Sequence, residues 1–207
     1  MNITTRTRIG LVVVLSVATG GFPVSSSQAT ENPGLAKAYF AGGCFWCMEE
    51  AFEKVAGVVS VTSGYMGGRA ENPSYEEVSR GGTGHAESVE VVYDQAKVSY
   101  ATLLDAFWHN VDPVTPNAQF CDHGSQYRSA IFYQTEEEKR SAEESKRAIE
   151  QSKRLPQPIV TELVMASRFF PAEDYHQDFY KKNPIRYKFY KYNCGRAQRL
   201  EALWGPS

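Results

Sequence analysis

The chain has 207 residues, 42% of them hydrophobic and 13% aromatic, with a formal charge of -2 and a pI near 6.1. That length suits one domain with one sizeable core, and the charge gives no electrostatic case for nucleic acid or an anionic membrane. Four cysteines are too few for a disulfide framework at this length, so they are read as residues that do chemistry.

Arg6 and Arg8 precede an apolar run from Ile9 to Ala18, and small, polar residues follow as far as Ser27-Gln28-Ala29. This is the three-part grammar of a secretory signal peptide, and the run is too short to span a bilayer. The expectation is a signal peptide over 1-29, cleaved after Ala29. Residues 30-207 would then form a soluble, exported, periplasmic protein that is free of the membrane, and an uncleaved anchor is the alternative. No cysteine near the cut site offers a lipid attachment point.

Leu35 to Ala41 reads as a strand ending in Gly42-Gly43. Met48, Ala51, Phe52 and Val55 then recur at helical spacing, with Glu49, Glu50, Glu53 and Lys54 opposite and Gly57 as the stop. Val58 to Tyr65 is a second strand, followed by a glycine-rich loop to Arg69, and Ser88 to Tyr93 is a third. Ser99 caps a helix with the stripe Leu103, Leu104, Phe107, Trp108 and Val111, which Pro113 stops. Tyr127 to Tyr133 is another strand. Thr135 and Glu138 form a capping box for a long helix whose charges pair at i, i+4.

Val160 to Met165 is the last expected strand and Ala172 to Lys182 a short helix; beyond Pro184 no periodicity is evident. The fold class is therefore α/β (α+β), a single-domain two-layer mixed sheet with packed helices and a long C-terminal coil. Its core runs from about 37 to 190, with a tail over 191-207.

Cys44 falls at the strand-to-helix junction, in the first turn. A thiolate is the nucleophile, and a helix N-terminus favours the anion through its unpaired N–H groups and partial positive charge. Cys47, three residues on, is within disulfide reach across that turn. Inert packing cysteines are one alternative reading. A zinc site from Cys44, Cys47, Cys121 and His123 is another, though the second half lacks the usual knuckle spacing. Glu87 shares a strand face with Val89, Val91 and Tyr93; if that face is the core side, its carboxyl is desolvated and its pKa raised.

The run Gly43-Cys44-Phe45-Trp46 resembles the active-site signature of the peptide methionine sulfoxide reductase A family. Four further blocks match in order: Pro73-Ser74-Tyr75-Glu76-Glu77-Val78, Thr83-Gly84-His85-Ala86-Glu87, Asp122-His123-Gly124-Ser125-Gln126-Tyr127-Arg128-Ser129 and Pro171-Ala172-Glu173-Asp174-Tyr175-His176-Gln177. The resemblance implies that Cys44 attacks the sulfur of methionine-S-sulfoxide and becomes a sulfenic acid. It implies that Phe45 and Trp46 wall a pocket for the substrate methyl, that Glu87 with Tyr75 and Tyr127 serves the sulfoxide oxygen, and that Asp122 orients the site. The family needs no metal and no organic cofactor, and acts on peptides and often on the free amino acid.

Resolution of the sulfenic acid is the open point, because the commoner family pattern has glycine where Cys47 stands. Cys47 is the nearer resolving candidate and is slightly preferred. Cys194, in the tail, could resolve Cys44 directly or relay the disulfide outward. Cys121 is a third possibility, weaker than its reading as a small buried residue. The reductant implied is a thioredoxin-like dithiol protein, and the protein is expected to be a monomer. A general thiol-disulfide oxidoreductase and a non-catalytic zinc-binding module are the competing classes. The first leaves Glu87 and the tyrosine blocks unexplained.

Overall fold

The computed structural model describes Met1 and residues 34-206, so the expected signal peptide falls outside the described residues. In chain order the elements are β1 (Leu35–Gly42), α1 (Phe45–Glu53), β2 (Val58–Met66), α2 (Tyr75–Ser79), β3 (Ala86–Asp94), α3 (Tyr100–Trp108), β4 (Ala118–Gln119) and β5 (Asp122–His123). There follow β6 (Ser129–Tyr133), α4 (Glu136–Gln151), β7 (Glu162–Met165), β8 (Phe170–Pro171), α5 (Phe179–Lys182), α6 (Pro184–Asn193) and α7 (Arg196–Trp204).

Six strands form one mixed sheet in the order β7-β6-β1-β3-β2-β8, and β4 pairs with β5 in a separate ribbon. All pairs are antiparallel except β6 with β7, whose parallel register needs the α4 crossover. Period-two alternation divides the sheet. Phe40, Tyr65, Val89, Val91 and Ile131 face the main core, while Ala41, Met66, Ala86, Ala130 and Phe132 form a smaller cluster.

The main core is filled by the apolar stripes of three helices: Phe45, Met48 and Phe52 of α1, Leu103, Leu104, Phe107 and Trp108 of α3, and Ala142 of α4. Phe40 at the sheet centre stacks on Phe52 at 4.8 Å and on Phe107 at 5.4 Å between ring centroids. Each such ring, fully buried, contributes about 1.5–3 kcal/mol. Helix starts follow local chemistry. Ser99 and Thr135 accept the N–H of the third residue on, and Ser74 with Glu77 forms a complete capping box opening α2. Thr135 forms only half of the box expected of it, since Glu138 reaches back to the N–H of Gln134.

The turn from β1 into α1 requires glycine. Gly43 has φ +79, and a Cβ there would lie 2.4 Å from Cβ of the fully buried Gln119. Gly43→Ala is therefore expected to destabilise the fold by more than about 1 kcal/mol, seen as a lower Tm in thermal denaturation. An unchanged Tm would refute this account of the turn.

Two expectations from the sequence need correction. The segment expected as a helix over 172-182 is helical only in the four-residue α5. Before it the chain is tied by side chains instead: Gln177 pairs with the backbone N–H and C=O of Ser63, and Asp178 adopts φ +56 while donating its N–H to Glu49. The long C-terminal coil is in fact two helices, α6 and α7. Pro184 does not end regular structure; it occupies the first position of α6, where its missing N–H costs nothing. The inward residues of α6 (Tyr187, Tyr190, Lys191 and Cys194) are polar or amphipathic, whereas Ile185, Phe189 and Tyr192 face solvent. An apolar stripe on the wet side hides the helical period. Gly195, at φ +66, separates the two helices, and α7 seats Leu203 and Trp204 in the main core.

Candidate active site

The end of β1, the first turn of α1, the start of β3 and the β5 ribbon converge on a small pocket of about 60 Å³. It is lined by Cys44, Phe45, Trp46, Tyr75, Glu87, Asp122, Tyr127 and Tyr190. Seven of these were singled out from the sequence as catalytic or substrate-binding candidates. Tyr190 was not.

Cys44 is the residue preceding α1, and Phe45 N–H, the first of that helix, donates to Glu87 Oε2 at 3.0 Å. The carboxyl is thereby fixed across the helix entrance, and its other oxygen has no hydrogen-bond partner among the described residues. Glu87 is buried, and loss of hydration pushes its pKa up to about 8. The Phe45 N–H opposes the shift, and Asp122 and Cys47 add to it. At neutral pH the group is a neutral acid with a proton to give. Tyr75 and Tyr127 are held as phenols by burial and by the nearby Glu87, Tyr75 with its pKa pushed up to about 12.

Second-layer contacts hold these groups. Glu173 accepts from Tyr75 N–H at 2.8 Å and from the Tyr65 hydroxyl at 2.9 Å, fixing the start of α2. Trp46 lies flat on Phe179, centroids 3.8 Å apart, and its indole N–H donates to His176 Nδ1 at 3.1 Å. That bond makes Nδ1 an acceptor, so neutral His176 carries its proton on the buried Nε2. Tyr190 donates to Asp122 and lines the pocket with Cys44, so it joins two expected site residues. Its only sequence signal is its place in the aromatic C-terminal stretch, which cannot be assigned to a site without the α6 geometry.

Cys44 and Cys47 are both buried and free, and they pack in one cluster with Phe179 and Tyr187. They titrate as a pair. The first proton leaves below the usual thiol range, because the new thiolate keeps the other S–H and lies near Arg196, Tyr187 and Lys191 on the Cys47 side. Burial and that first charge then push the second ionisation far up. The helix start and the neighbouring thiol both act on these sulfurs, so the ionisation belongs to the pair.

Cys121 is bonded to Cys194, with Cα atoms 4.8 Å apart. The reading of Cys121 as a small buried residue is thus wrong, because it is exposed on the β4–β5 ribbon and crosslinked. The same bond takes Cys121 out of any zinc set with Cys44, Cys47 and His123. Cys194 is anchored at the end of α6 and does not sit in a mobile tail.

A buried thiol pair, a neutral carboxylic acid and a wall of aromatic rings define a thiol-based reductase site. Comparison with known proteins narrows this class. The model for the family described as "Peptide methionine sulfoxide reductase" matches residues 36–207. A Listeria innocua protein named peptide methionine sulfoxide reductase MsrA is 48% identical over 170 residues, 82% of this chain and 96% of that one. A Vibrio cholerae protein named peptide methionine sulfoxide reductase MsrA/MsrB is 47% identical over 169 residues, and this chain spans 45% of its length. Among solved structures, reduced Mxr1 from Saccharomyces cerevisiae superposes with a TM-score of 0.69 at 30% identity, over 74% of this chain and 88% of that one. The chain belongs to the peptide methionine sulfoxide reductase family.

Proposed function

We propose that the protein reduces methionine-S-sulfoxide, in oxidised proteins and peptides and as the free amino acid, to methionine. The observation that carries this reading is Glu87, a buried neutral acid pinned by the Phe45 N–H across the helix entrance that holds Cys44. A thiol alone can attack sulfur. Releasing the sulfoxide oxygen from carbon-bound sulfur also needs a proton donor at the oxygen.

In this mechanism Phe45 and Trp46 hold the methyl group, and Tyr75, Tyr127 and Glu87 hydrogen-bond the oxygen. Cys44 gives up its proton to Cys47 as its sulfur attacks the sulfoxide sulfur. Glu87 protonates the oxygen, which passes to Cys44. The products are methionine and a Cys44 sulfenic acid. Asp122, held by Tyr190, keeps the pocket ordered. The Cys47 sulfur then attacks the Cys44 sulfur, the S–O bond breaks and water leaves. A thioredoxin-like dithiol protein reduces the resulting disulfide, taking the oxidation onto its own two thiols. Cys47 is favoured over Cys194 as resolver because it already touches Cys44, while Cys194 is held by Cys121.

Mass mapping of disulfides after one turnover with methionine-S-sulfoxide and no reductant tests this reading. A new Cys44–Cys47 bond with one equivalent of methionine is expected; no methionine would sink the proposal. Trp46→Ala is expected to raise KM roughly tenfold or more with a smaller change in kcat, through loss of the apolar wall. Unchanged steady-state constants would reduce Trp46 to a cover for the helix end. The N-terminal pattern supports export to the periplasm, and the protein is proposed to act there as a monomer. N-terminal sequencing of secreted material should begin after Ala29, and size-exclusion should give one chain.

A further inference from the structure

The β4–β5 ribbon ends in a two-residue turn, Phe120 and Cys121, between the paired Gln119 and Asp122. Nothing local favours that turn. It lacks the Gly, Asn or Asp usual in such a loop, and Phe120 adopts φ +57, where a bulky side chain is strained. Two strands of two residues each are too short to hold themselves. The base of the ribbon is secured by Gln119, whose amide pairs with the N–H and C=O of Asp112. The tip is held from outside.

Residues 120, 121 and 122 each grip the C-terminal segment, and their partners run backwards along it. The Arg196 guanidinium lies over the Phe120 ring, 4.4 Å from its centroid; Cys121 is bonded to Cys194; Asp122 accepts the Tyr190 hydroxyl. The last contact is part of the pocket, since Asp122 and Tyr190 line the same cavity as Cys44, and Tyr190 meets Trp46 edge-on with centroids 6.0 Å apart. The middle contact is covalent, and Cys121 is exposed. We propose that the Cys121–Cys194 disulfide is a reducible clasp that positions Asp122 and Tyr190 for substrate binding beside Cys44. This rests on the reading of the pocket as the sulfoxide site.

The clasp lies one residue from Asp122 and one helical turn from Tyr190, so it keeps the two partners of that hydrogen bond together. A dithiol protein opens it by exchange. The partner's thiolate bonds to the Cys121 sulfur as the S–S bond breaks, and Cys194 leaves as a thiolate that takes a proton. The partner's second thiol then displaces Cys121 and carries away the disulfide, so two electrons and two protons pass to the clasp. The C-terminal helices stay docked, because Arg199 still pairs with Asp112 at 2.8 Å and Trp204 still donates to the Val111 carbonyl at 3.2 Å. Opening leaves the ribbon tip to the Asp122–Tyr190 and Phe120–Arg196 contacts alone. Substrate binding weakens while the chemistry at Cys44 stays in place.

The test follows the first turnover of the full chain with methionine-S-sulfoxide and no reductant, starting with Cys44 and Cys47 as free thiols and the clasp closed. Cys121→Ser/Cys194→Ser should raise the half-saturating sulfoxide concentration about three- to tenfold, with less than about a twofold change in the maximal rate of methionine release. Fully reduced parent, freed of reductant, should show the same rise, and reoxidising the clasp should reverse it. Mild dithiothreitol followed by alkylation should label Cys121 and Cys194 in the folded chain; a bond that opens only on denaturation overturns the proposal. A lower Tm with unchanged half-saturation makes the bond a plain structural crosslink and overturns it equally. If the double variant does not fold, the reduced parent decides alone. No methionine from the closed parent sinks the functional reading and the proposal together, whereas methionine at an unchanged half-saturation sinks the proposal alone.

Discussion

Cys44→Ser is expected to abolish methionine formation, by more than about 10⁴-fold in kcat, with dithiothreitol as reductant. A serine hydroxyl is far less acidic than a thiol, and its oxygen cannot take up the sulfoxide oxygen as sulfur does. The small reductant bypasses Cys47, Cys121 and Cys194, so the loss would report on Cys44 alone. Cys44 lies buried at the entrance to α1 without a side-chain capping bond, so serine there should leave the helix in place. Circular dichroism matching the parent would confirm that the defect is chemical. Turnover within tenfold of the parent would remove Cys44 from the centre of the mechanism.

Glu87→Gln has the second largest expected effect, a fall in kcat of about 10²–10⁴-fold, the usual contribution of a placed acid. The amide can still accept the Phe45 N–H, so the helix entrance keeps its geometry while the proton is lost. The parent enzyme should show an alkaline limb: as pH rises through about 8, Glu87 loses its proton and kcat falls. In the variant that limb should vanish. Stability has a matching sign. The folded pKa lies above that of the unfolded glutamate, so between the two the native state binds more protons, and stability falls as pH rises. The variant should therefore gain most in Tm near pH 8 and least below pH 4, by thermal denaturation across that range. An unchanged alkaline limb in the kinetics would assign it to another group.

Much of this site was readable from local chemistry. The double glycine, the helix period after Cys44 and the alternation along residues 87-93 depend only on near neighbours in the chain, and the structure keeps all three. The Ser74–Glu77 pair, a capping box at the start of α2, is equally local. The family blocks brought forward Tyr75, Tyr127 and Asp122, which no spacing rule would have joined. They lie on separate elements and meet only through the sheet register that sets β3 between β1 and β2.

The C-terminal segment shows where reading by pattern stops. Its inward face is tyrosine, lysine and cysteine because it covers a polar reaction site rather than an apolar core, so hydrophobic periodicity had nothing to detect. Whether Cys194 meets Cys44 or Cys121 depends on where α6 ends. The strand into Gly42-Gly43, the helix after Cys44 and the strand carrying Glu87 were legible in the sequence, since each follows from local backbone preference, whereas the roles of Cys44 and Glu87 came from the family blocks. Only the folded chain shows that Cys121 is bonded to Cys194 and that Tyr190 reaches Asp122. Both contacts join residues about seventy positions apart, beyond the reach of any local pattern.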